Sequence, residues 1–198
     1  MRLRPAREAD VADLAALMDI ASHGIAARIW CEQSKTDVSP LETGIAQILG
    51  RKLLPSFLGN WVIASSGGRI TGAYAGYIVP EPFDPGDSGT LHPVHAPLLE
   101  LEALSAAAWF LVAIAVYPQF RRRGHARAML RHAESAARGR GARRMAMALS
   151  GRNDPAMALY AGAGFEEAAR RPRIGFSILP LDDEWVLMSK ALEARKYP

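Results

Sequence analysis

Hydrophobic residues recur with two different periods along the chain, and each period predicts one kind of secondary structure. One apolar stripe has the spacing i, i+3, i+6 and i+7 and consists of Val11, Leu14, Leu17 and Met18. This spacing predicts a helix capped by Asp10. The same rules predict further helices that begin near residues 25 and 40, the latter ending near 54, and helices at 125–138 and 154–161. They predict strands at 2–4, 61–64, 70–79, 109–116, 143–149 and 184–190.

The segment WFLVAIAV at 109–116 is apolar without alternation, which predicts a strand buried on both faces at the centre of a sheet. A helix and a further strand follow it, and this order predicts parallel strands joined by a right-handed crossover. The two earlier strands flank Ser-Ser-Gly-Gly at 65–68, which predicts an antiparallel hairpin. Parallel and antiparallel strands with helices between them predict a mixed α/β fold.

Length and composition indicate one globular domain over residues 1–198, because 49% of the residues are hydrophobic and 22% are charged. The stretch 80–105 begins with a proline-rich segment, so it is predicted to be a loop or insertion. No apolar run approaches the roughly 18 residues of a membrane helix, and charges interrupt the N-terminal segment where a signal peptide would be apolar. Cys31 is the only cysteine, so we expect a cytoplasmic protein without an internal disulfide. The lack of a long apolar run leads us to expect no membrane partner.

Basic residues are concentrated in the middle of the chain. Residues 105–173 hold 13 basic and 4 acidic side chains, whereas residues 1–104 hold 8 basic and 12 acidic ones. This asymmetry indicates an anionic ligand for the middle segment. Charge alone does not distinguish among a nucleic acid, a nucleotide and a phosphate as this ligand.

The junction after the apolar strand concentrates the chemistry expected of an anion site. Three consecutive arginines and Gly124 lie between the strand and the helix that begins near His125. The first N–H groups of a helix have no partner within it, and the helix dipole adds positive charge there. Glycine lets a ligand approach the backbone, so the junction is predicted to hold a pyrophosphate. It lacks the Gly-Lys-Ser/Thr of a Walker loop and two glycines of the dinucleotide-binding pattern.

Two sequence patterns resemble the two signatures of the GNAT family of N-acetyltransferases. The first is RxxGxA at 121–126, directly after the apolar strand, and the second is NxxAxxLYxxxGF at 153–165. The patterns occur in the family's order, with a helix and a strand between them. The clear resemblance covers residues 109–165. It implies a mixed, twisted sheet with helices on both faces, splayed beside a site for acetyl-CoA.

The resemblance also implies roles for individual residues. The strand backbone near its C-terminal end would pair with the pantetheine arm of acetyl-CoA, amides of 122–126 would hold the pyrophosphate, and Asn153 would contact the cofactor arm. Tyr160 would place its hydroxyl near the thioester sulfur. The residues implied to bind the cofactor are Ile114, Ala115, Val116, Arg121, Arg122, Arg123, Gly124, His125, Ala126, Asn153 and Tyr160.

The implied reaction is direct attack of a primary amine on the acetyl thioester in a ternary complex. A backbone N–H near Val116 would stabilise the oxyanion, and Tyr160 would protonate the thiolate. The amine must lose a proton, because a lysine-like amine has a pKa of about 10 in water. Glu100 and Glu102 are the candidate bases, since two positions apart in an extended segment they point to one face. Solvent-facing carboxylates are the alternative interpretation.

The acceptor is expected to be a small-molecule amine, a peptide N-terminus or a lysine. The acidic first half favours a cationic acceptor, with segments 23–54 and 80–102 lining its pocket. His92 and His95 lack a third metal ligand at a suitable spacing, so no metal is expected. Two alternatives stay open: a sensor of this fold that binds CoA without catalysis, and a basic nucleic-acid-binding module. The resemblance also allows a homodimer.

Overall fold

The computed structural model describes residues 1–50, 55–85, 92–175 and 183–193. The helices in this part of the chain are α1 (Val11–Ala21), α2 (Ile25–Gln33), α3 (Pro40–Gly50), α4 (Ala96–Ala103), α5 (His125–Gly139) and α6 (Asp154–Ala161). The strands are β1 (Arg2–Pro5), β2 (Trp61–Ser66), β3 (Arg69–Ile78), β4 (Trp109–Val116), β5 (Arg144–Ser150), β6 (Glu166–Pro172) and β7 (Glu184–Ala191). The strand order is β1-β2-β3-β4-β5-β7-β6. Its mixed pairing confirms the predicted mixed α/β class. No helix within these described ranges is both long and apolar enough to cross a bilayer.

The chain divides into two compact units, both discontinuous in sequence. The first unit comprises residues 1–77 and 112–133, and the second comprises 78–111 and 134–198. Strand β4 and helix α5 each contribute residues to both units.

Antiparallel strands and three helices form the first unit. β1 pairs with β2, and β2 pairs with β3 through the predicted hairpin, in which Ser66 faces Arg69. Alternate residues of β2 point to one face, and Trp61 and Ile63 are accordingly buried together. Helices α1, α2 and α3 pack on one another. Their apolar stripes complete a core with β2 and β3, formed by Leu14, Leu17, Trp30, Ile48, Trp61, Ile63, Ala73 and Ala75.

The predicted cap of α1 is wrong in its chemistry, although α1 begins where the period predicts. The Asp10 carboxylate makes no hydrogen bond to the helix N-terminus. It accepts two bonds from the Arg4 guanidinium at 2.6 and 2.7 Å and one from the Arg7 N–H at 2.8 Å. The paired arginine holds the pKa of Asp10 below its usual range. Two charge-assisted bonds to a nearby guanidinium therefore replace the cap.

Helix α3 begins near residue 40, as the sequence predicts, and it begins with a capping box. The Ser39 backbone N–H donates to Glu42 Oε2 at 2.8 Å, and the Glu42 N–H donates to Ser39 Oγ at 3.2 Å. The predicted end of this helix near residue 54 lies outside the described residues.

The second unit is built around β5 and β7. β4 runs parallel to β5, with Trp109 opposite Met145, which confirms the predicted parallel pair. β5 and β6 both pair antiparallel with β7. α4 packs against β5, β6 and β7. The fully buried side chains include Leu101, Trp109, Met145, Val186 and Leu187.

Two elements of the second unit differ from the sequence prediction. Residues 96–103 form helix α4 inside the stretch predicted to be a loop. Pro97 lies in the first turn of α4, where a missing N–H costs no hydrogen bond, so this proline starts a helix. Strand β6 was not predicted, because its sequence EEAARRP has no apolar alternation and most of its residues are exposed.

Candidate functional site

The chain leaves β4 through a short, well-anchored turn in the first unit. Pro118–Phe120 form one 3-10 turn, in which the Phe120 N–H donates to the Tyr117 carbonyl at 2.9 Å. Phe120 is buried, and its ring stacks on that of His125 with centroids 6.3 Å apart. The ring of Phe120 therefore holds the turn in place and leaves the arginines that follow it exposed.

Two residues of the segment after Phe120 have left-handed backbone conformations. Arg122 has φ +61°, and Gly124 has φ +79°. A side chain rarely adopts a positive φ, so Arg122 holds a strained conformation of the kind found at ligand-binding turns. Positive φ angles redirect the backbone N–H groups of a turn, and such turns often bind anions.

This segment leads directly into the N-terminus of α5. The first hydrogen bond of that helix joins the Ala128 N–H to the Gly124 carbonyl at 3.0 Å. The N–H groups of His125, Ala126 and Arg127 therefore precede the helical ladder and carry the positive end of the helix dipole. A Cβ built on Gly124 meets no atom within 4 Å. The turn is thus open to a ligand. Any residue with a side chain at position 124 would hold its backbone in a strained conformation.

The end of β4 is fixed by close backbone contact with β3. A Cβ on Gly72 would come within 2.4 Å of the Ala115 carbonyl oxygen and 3.2 Å of the Val116 Cα. Only glycine therefore allows this approach. The Tyr117 N–H donates to the Thr71 carbonyl at 3.0 Å, and Arg121 Nε donates to the Val116 carbonyl at 3.2 Å. These contacts hold the backbone of residues 115–117 in place.

Tyr117 ties the same strand end to helix α1. Its hydroxyl donates to Asp13 Oδ1 at 2.5 Å. Burial, together with the hydrogen bond to Asp13 and its charge, raises the pKa of Tyr117 above its usual range. The phenol therefore stays protonated at neutral pH and serves as an anchor.

Arg69 is a cation beside this turn that sequence reasoning missed. It is the first residue of β3, and its guanidinium carbon lies 5.6 Å from the Phe120 ring centroid. Arg123 Cζ lies 5.8 Å from the same centroid. No motif marks Arg69, because only the hairpin and the pairing of β3 bring it to residue 120.

Asn153 belongs to the second unit and caps α6. Its side-chain oxygen accepts the Ala156 N–H at 3.3 Å, and its own N–H donates to the Ser150 carbonyl at 3.0 Å. The helix start that the sequence predicts at Asp154-Pro155 is confirmed. The cofactor contact implied for Asn153 stays a prediction beside this capping role.

A buried ion pair holds the loop that carries Asn153. Asp183 accepts hydrogen bonds from the Arg173 guanidinium and, at 2.6 Å, from Ser150 Oγ, which itself accepts the Arg152 N–H at 3.2 Å. Burial alone would raise the pKa of Asp183, but its hydrogen bonds with Ser150, Arg173 and the Glu184 N–H lower it. Asp183 therefore stays ionised, and the loop after β5 is fixed to the start of β7.

Tyr160 is buried in the second unit near the C-terminal end of α6. It is 5% exposed, and its ring meets that of Phe165 edge to face with centroids 6.0 Å apart. Burial raises the pKa of Tyr160 above its usual range. In the part of the chain that the structure describes, the backbone of Tyr160 makes hydrogen bonds, whereas its hydroxyl makes none.

The prediction that Glu100 and Glu102 share one face of an extended segment is wrong. Both lie in α4, where residues two apart point about 200° apart around the axis. Glu100 is exposed and accepts a hydrogen bond from Arg171 Nε at 2.5 Å. Glu102 is 9% exposed, and burial raises its pKa to about 7. The helix therefore separates the two carboxylates into different environments.

The predicted site residues fall into two groups. The first group lies in the first unit and comprises residues 114–116 and 121–126. The second group lies in the second unit and comprises Glu100, Glu102, Asn153 and Tyr160. Parts of the segments predicted to line an acceptor pocket, at 51–54 and 86–91, lie outside the described residues.

Comparison with known proteins identifies one family. The model of the family described as "Acetyltransferase (GNAT) family" matches residues 28–165. No curated protein matches the chain.

Similar solved structures have the same fold. An N-acetyltransferase from Staphylococcus aureus has a TM-score of 0.66 at 15% identity, with 96% of this chain and 100% of that chain covered. A ribosomal-protein-alanine N-acetyltransferase from Brucella melitensis has a TM-score of 0.62 at 22% identity, covering 97% and 100%. The yncA protein from Salmonella typhimurium, a putative acetyltransferase with its cofactor acetyl-CoA, has a TM-score of 0.59 at 19% identity, covering 100% and 97%.

Proposed function

The chain belongs to the GNAT family of acetyltransferases, and we propose on that premise that it transfers the acetyl group of acetyl-CoA to a primary amine. The observation that carries the proposal is the open, strained turn at 121–126, which joins the end of β4 to the N-terminus of α5. It contains the RxxGxA pattern. A similar fold from Salmonella typhimurium was solved with acetyl-CoA, which supports the same cosubstrate here.

The turn would hold the pyrophosphate of acetyl-CoA through backbone groups. The N–H groups from Arg122 to Ala126 supply the donors, and the helix dipole supplies partial positive charge. The open space above Gly124 supports this assignment, because a phosphate needs to approach the backbone closely. The strand backbone at 114–116 would pair with the pantetheine arm, as the resemblance implies.

The proposed reaction forms one C–N bond and breaks one C–S bond. The amine nitrogen attacks the thioester carbon, the oxyanion accepts a hydrogen bond from a backbone N–H near Val116, and collapse expels the CoA thiolate. The contacts of Gly72, Thr71 and Arg121 with the strand end support this role, because they hold that backbone rigid. The amine loses one proton, and the thiolate gains one.

Tyr160 is our proposed donor of the proton to the thiolate. Its raised pKa keeps the phenol protonated throughout the neutral range. A buried phenol without an assigned protein partner for its hydroxyl can give its hydrogen bond to the charge that develops on sulfur. Asn153 is proposed to contact the cofactor arm while it caps α6.

Glu102 is a better candidate than Glu100 for the base that accepts the amine proton. Its pKa of about 7 lies near physiological pH, where a general base works best. Glu100 is exposed at the surface, where its carboxylate is paired with the Arg171 guanidinium. We therefore propose Glu102 as the base and retain Glu100 as a residue of the α4 surface.

The acceptor is proposed to be a cationic amine, either a small molecule or a peptide amine. The excess of acidic residues over residues 1–104 supports a cation. The similar structure from Brucella melitensis is a ribosomal-protein-alanine N-acetyltransferase, which supports a peptide amine as one class.

Release of free CoA thiol from acetyl-CoA over a panel of amines tests the proposal. The panel contains polyamines, lysine-containing peptides, peptides with free N-termini and anionic amines. We expect release with cationic members and slower release with anionic ones. Acetyl-CoA binding without release on any amine would favour the CoA-binding sensor. A steep salt dependence of binding to random DNA or RNA, with no CoA binding, would favour the nucleic-acid module.

A further inference from the structure

Two guanidinium groups from distant parts of the sequence meet at one aromatic ring in the first unit. Arg69 begins β3, and Arg123 lies in the turn after β4. Their Cζ atoms are 5.6 and 5.8 Å from the centroid of Phe120, within the range of a cation–π contact. Both arginines are exposed, whereas the ring is 8% exposed. A buried ring thus positions two surface cations.

Neither guanidinium is paired with a carboxylate in the part of the chain that the structure describes. Other surface arginines, such as Arg28 and Arg170, do pair with neighbouring carboxylates. Two like charges on one ring repel each other, and an anion between them would relieve that repulsion. The pair is therefore a favourable place for a phosphate.

The ring also leaves the donors of both arginines free to bind. A guanidinium within cation–π distance of a ring still has N–H donors available, and two of them match two oxygens of a phosphate. Phe120 cannot easily move, because it is buried and stacked on His125. Both guanidinium groups are consequently held beside the same ring, which reduces the entropy lost on binding.

The two arginines lie at the turn of residues 121–126 that is proposed to hold the pyrophosphate. Phe120 precedes that turn, and Arg123 is part of it, whereas Arg69 reaches it from the hairpin. CoA carries a third phosphate, on the 3′ position of its ribose, which the backbone N–H groups at 122–126 do not serve when they hold the pyrophosphate. Resting on the proposed function, we infer that Arg69 and Arg123, presented by Phe120, bind this 3′-phosphate and distinguish CoA from dephospho-CoA.

The test compares the affinities of CoA and dephospho-CoA by isothermal titration calorimetry. We expect the wild-type protein to bind CoA at least about 10-fold more tightly, as one lost charge-assisted contact would give. Arg69→Gln is expected to weaken CoA binding about 10-fold and to change dephospho-CoA binding less than about twofold. Arg69→Lys keeps the charge but loses the planar guanidinium with its paired donors, so its effect should fall between those of the wild type and Arg69→Gln.

Arg131→Gln is the matched control, because it removes one exposed charge from the same unit on α5. It should leave both affinities within about twofold of the wild type. Equal weakening of both ligands by Arg69→Gln, or no weakening, overturns the inference even when acetyl transfer persists. Failure of the wild-type protein to bind either ligand instead overturns the proposed function, and this inference with it.

Discussion

The turn at 121–126 would bind the cofactor through backbone atoms, whereas Tyr160 and Glu102 would transfer protons through side-chain atoms. The turn would use backbone N–H groups, and it is open above Gly124 and contains two positive φ angles. Tyr160 and Glu102 would use single side-chain groups, which are buried and have raised pKa values. Backbone sites fail when the chain conformation or access changes, whereas side-chain sites fail when one functional group is removed. The two regions therefore predict different responses to substitution.

The largest effect is expected from Gly124→Glu. A carboxylate there would lie in the proposed phosphate path and repel the ligand, and the lost amide contacts should weaken CoA binding at least about 1,000-fold. Calorimetry with CoA measures the loss. Gly141→Glu is the control, because Gly141 also has a positive φ, +80°, and open space around its Cβ. Both variants should lose similar stability, and equal CoA affinity in the two would contradict the role of the turn.

Removal of the Tyr160 hydroxyl should affect turnover and spare binding. Tyr160→Phe is expected to lower kcat about 100-fold, the scale of one general acid, with KM for acetyl-CoA within a few fold. Steady-state thiol release at saturating amine gives both constants. Tyr74→Phe serves as the control, because it also removes a hydroxyl, one that is 2.7 Å from His132 Nδ1. An unchanged kcat in Tyr160→Phe would mean that another acid or water protonates the thiolate.

Glu102→Gln is expected to lower kcat about 100-fold and to remove a pH dependence. In the wild type the rate should rise through pH 7 as Glu102 loses its proton. Glu100→Gln should keep that profile, because Glu100 is paired with Arg171. Identical pH–rate profiles for both variants and the wild type would remove both carboxylates from the proton path.

The stability of the same variant gives an independent check of the burial of Glu102. The folded pKa of about 7 exceeds the ordinary 4.5, so the folded state binds the proton more tightly than the unfolded state. Stability present below pH 4.5 is therefore lost as the pH rises through 7. Between pH 4.5 and 8, the wild type should lose about 3 kcal/mol of unfolding free energy relative to Glu102→Gln. Parallel curves in chemical denaturation would show that the carboxyl is solvated.

The smallest effect separates the two roles of Asn153. Asn153→Ala should cost about 1 kcal/mol of stability, because the α6 cap is lost. Asn153→Asp should keep the cap. If the side chain also contacts the cofactor arm, Asp should weaken CoA binding, since it replaces an amide donor with a carboxylate. Wild-type affinity in Asn153→Asp would leave only the capping role.

The sequence predicted the elements whose local signals agree with their tertiary environment. The β4 segment is apolar throughout and is buried, and Gly124 supplies the positive φ at the expected turn. α4 was missed because prolines dominate its surroundings, although Pro97 lies where a helix tolerates it. β6 was missed because it is an exposed edge strand, and its Arg170 pairs with Glu167 and Glu184.

The candidate site residues also divide into those with a local sequence pattern and those positioned only by the fold. The turn at 121–126 is contiguous, so its pattern is visible in the sequence. Arg69 reaches Phe120 only through strand pairing, and Glu102 separates from Glu100 only because the segment is helical. Long-range register and helical phase determine both features, and neither leaves a local mark. A homodimer, cytoplasmic location and the single-domain organisation stay predictions.

Amide chemical shifts test the central claim most directly. A 15N-labelled sample titrated with CoA reports on each backbone N–H separately, including those of Gly124, His125 and Ala126. Hydrogen bonds to a pyrophosphate should produce the largest downfield proton shifts at 122–126, and these should saturate together with the calorimetric binding curve. Saturated binding with unchanged shifts at 122–126, and with the main shifts elsewhere in the chain, would contradict the account.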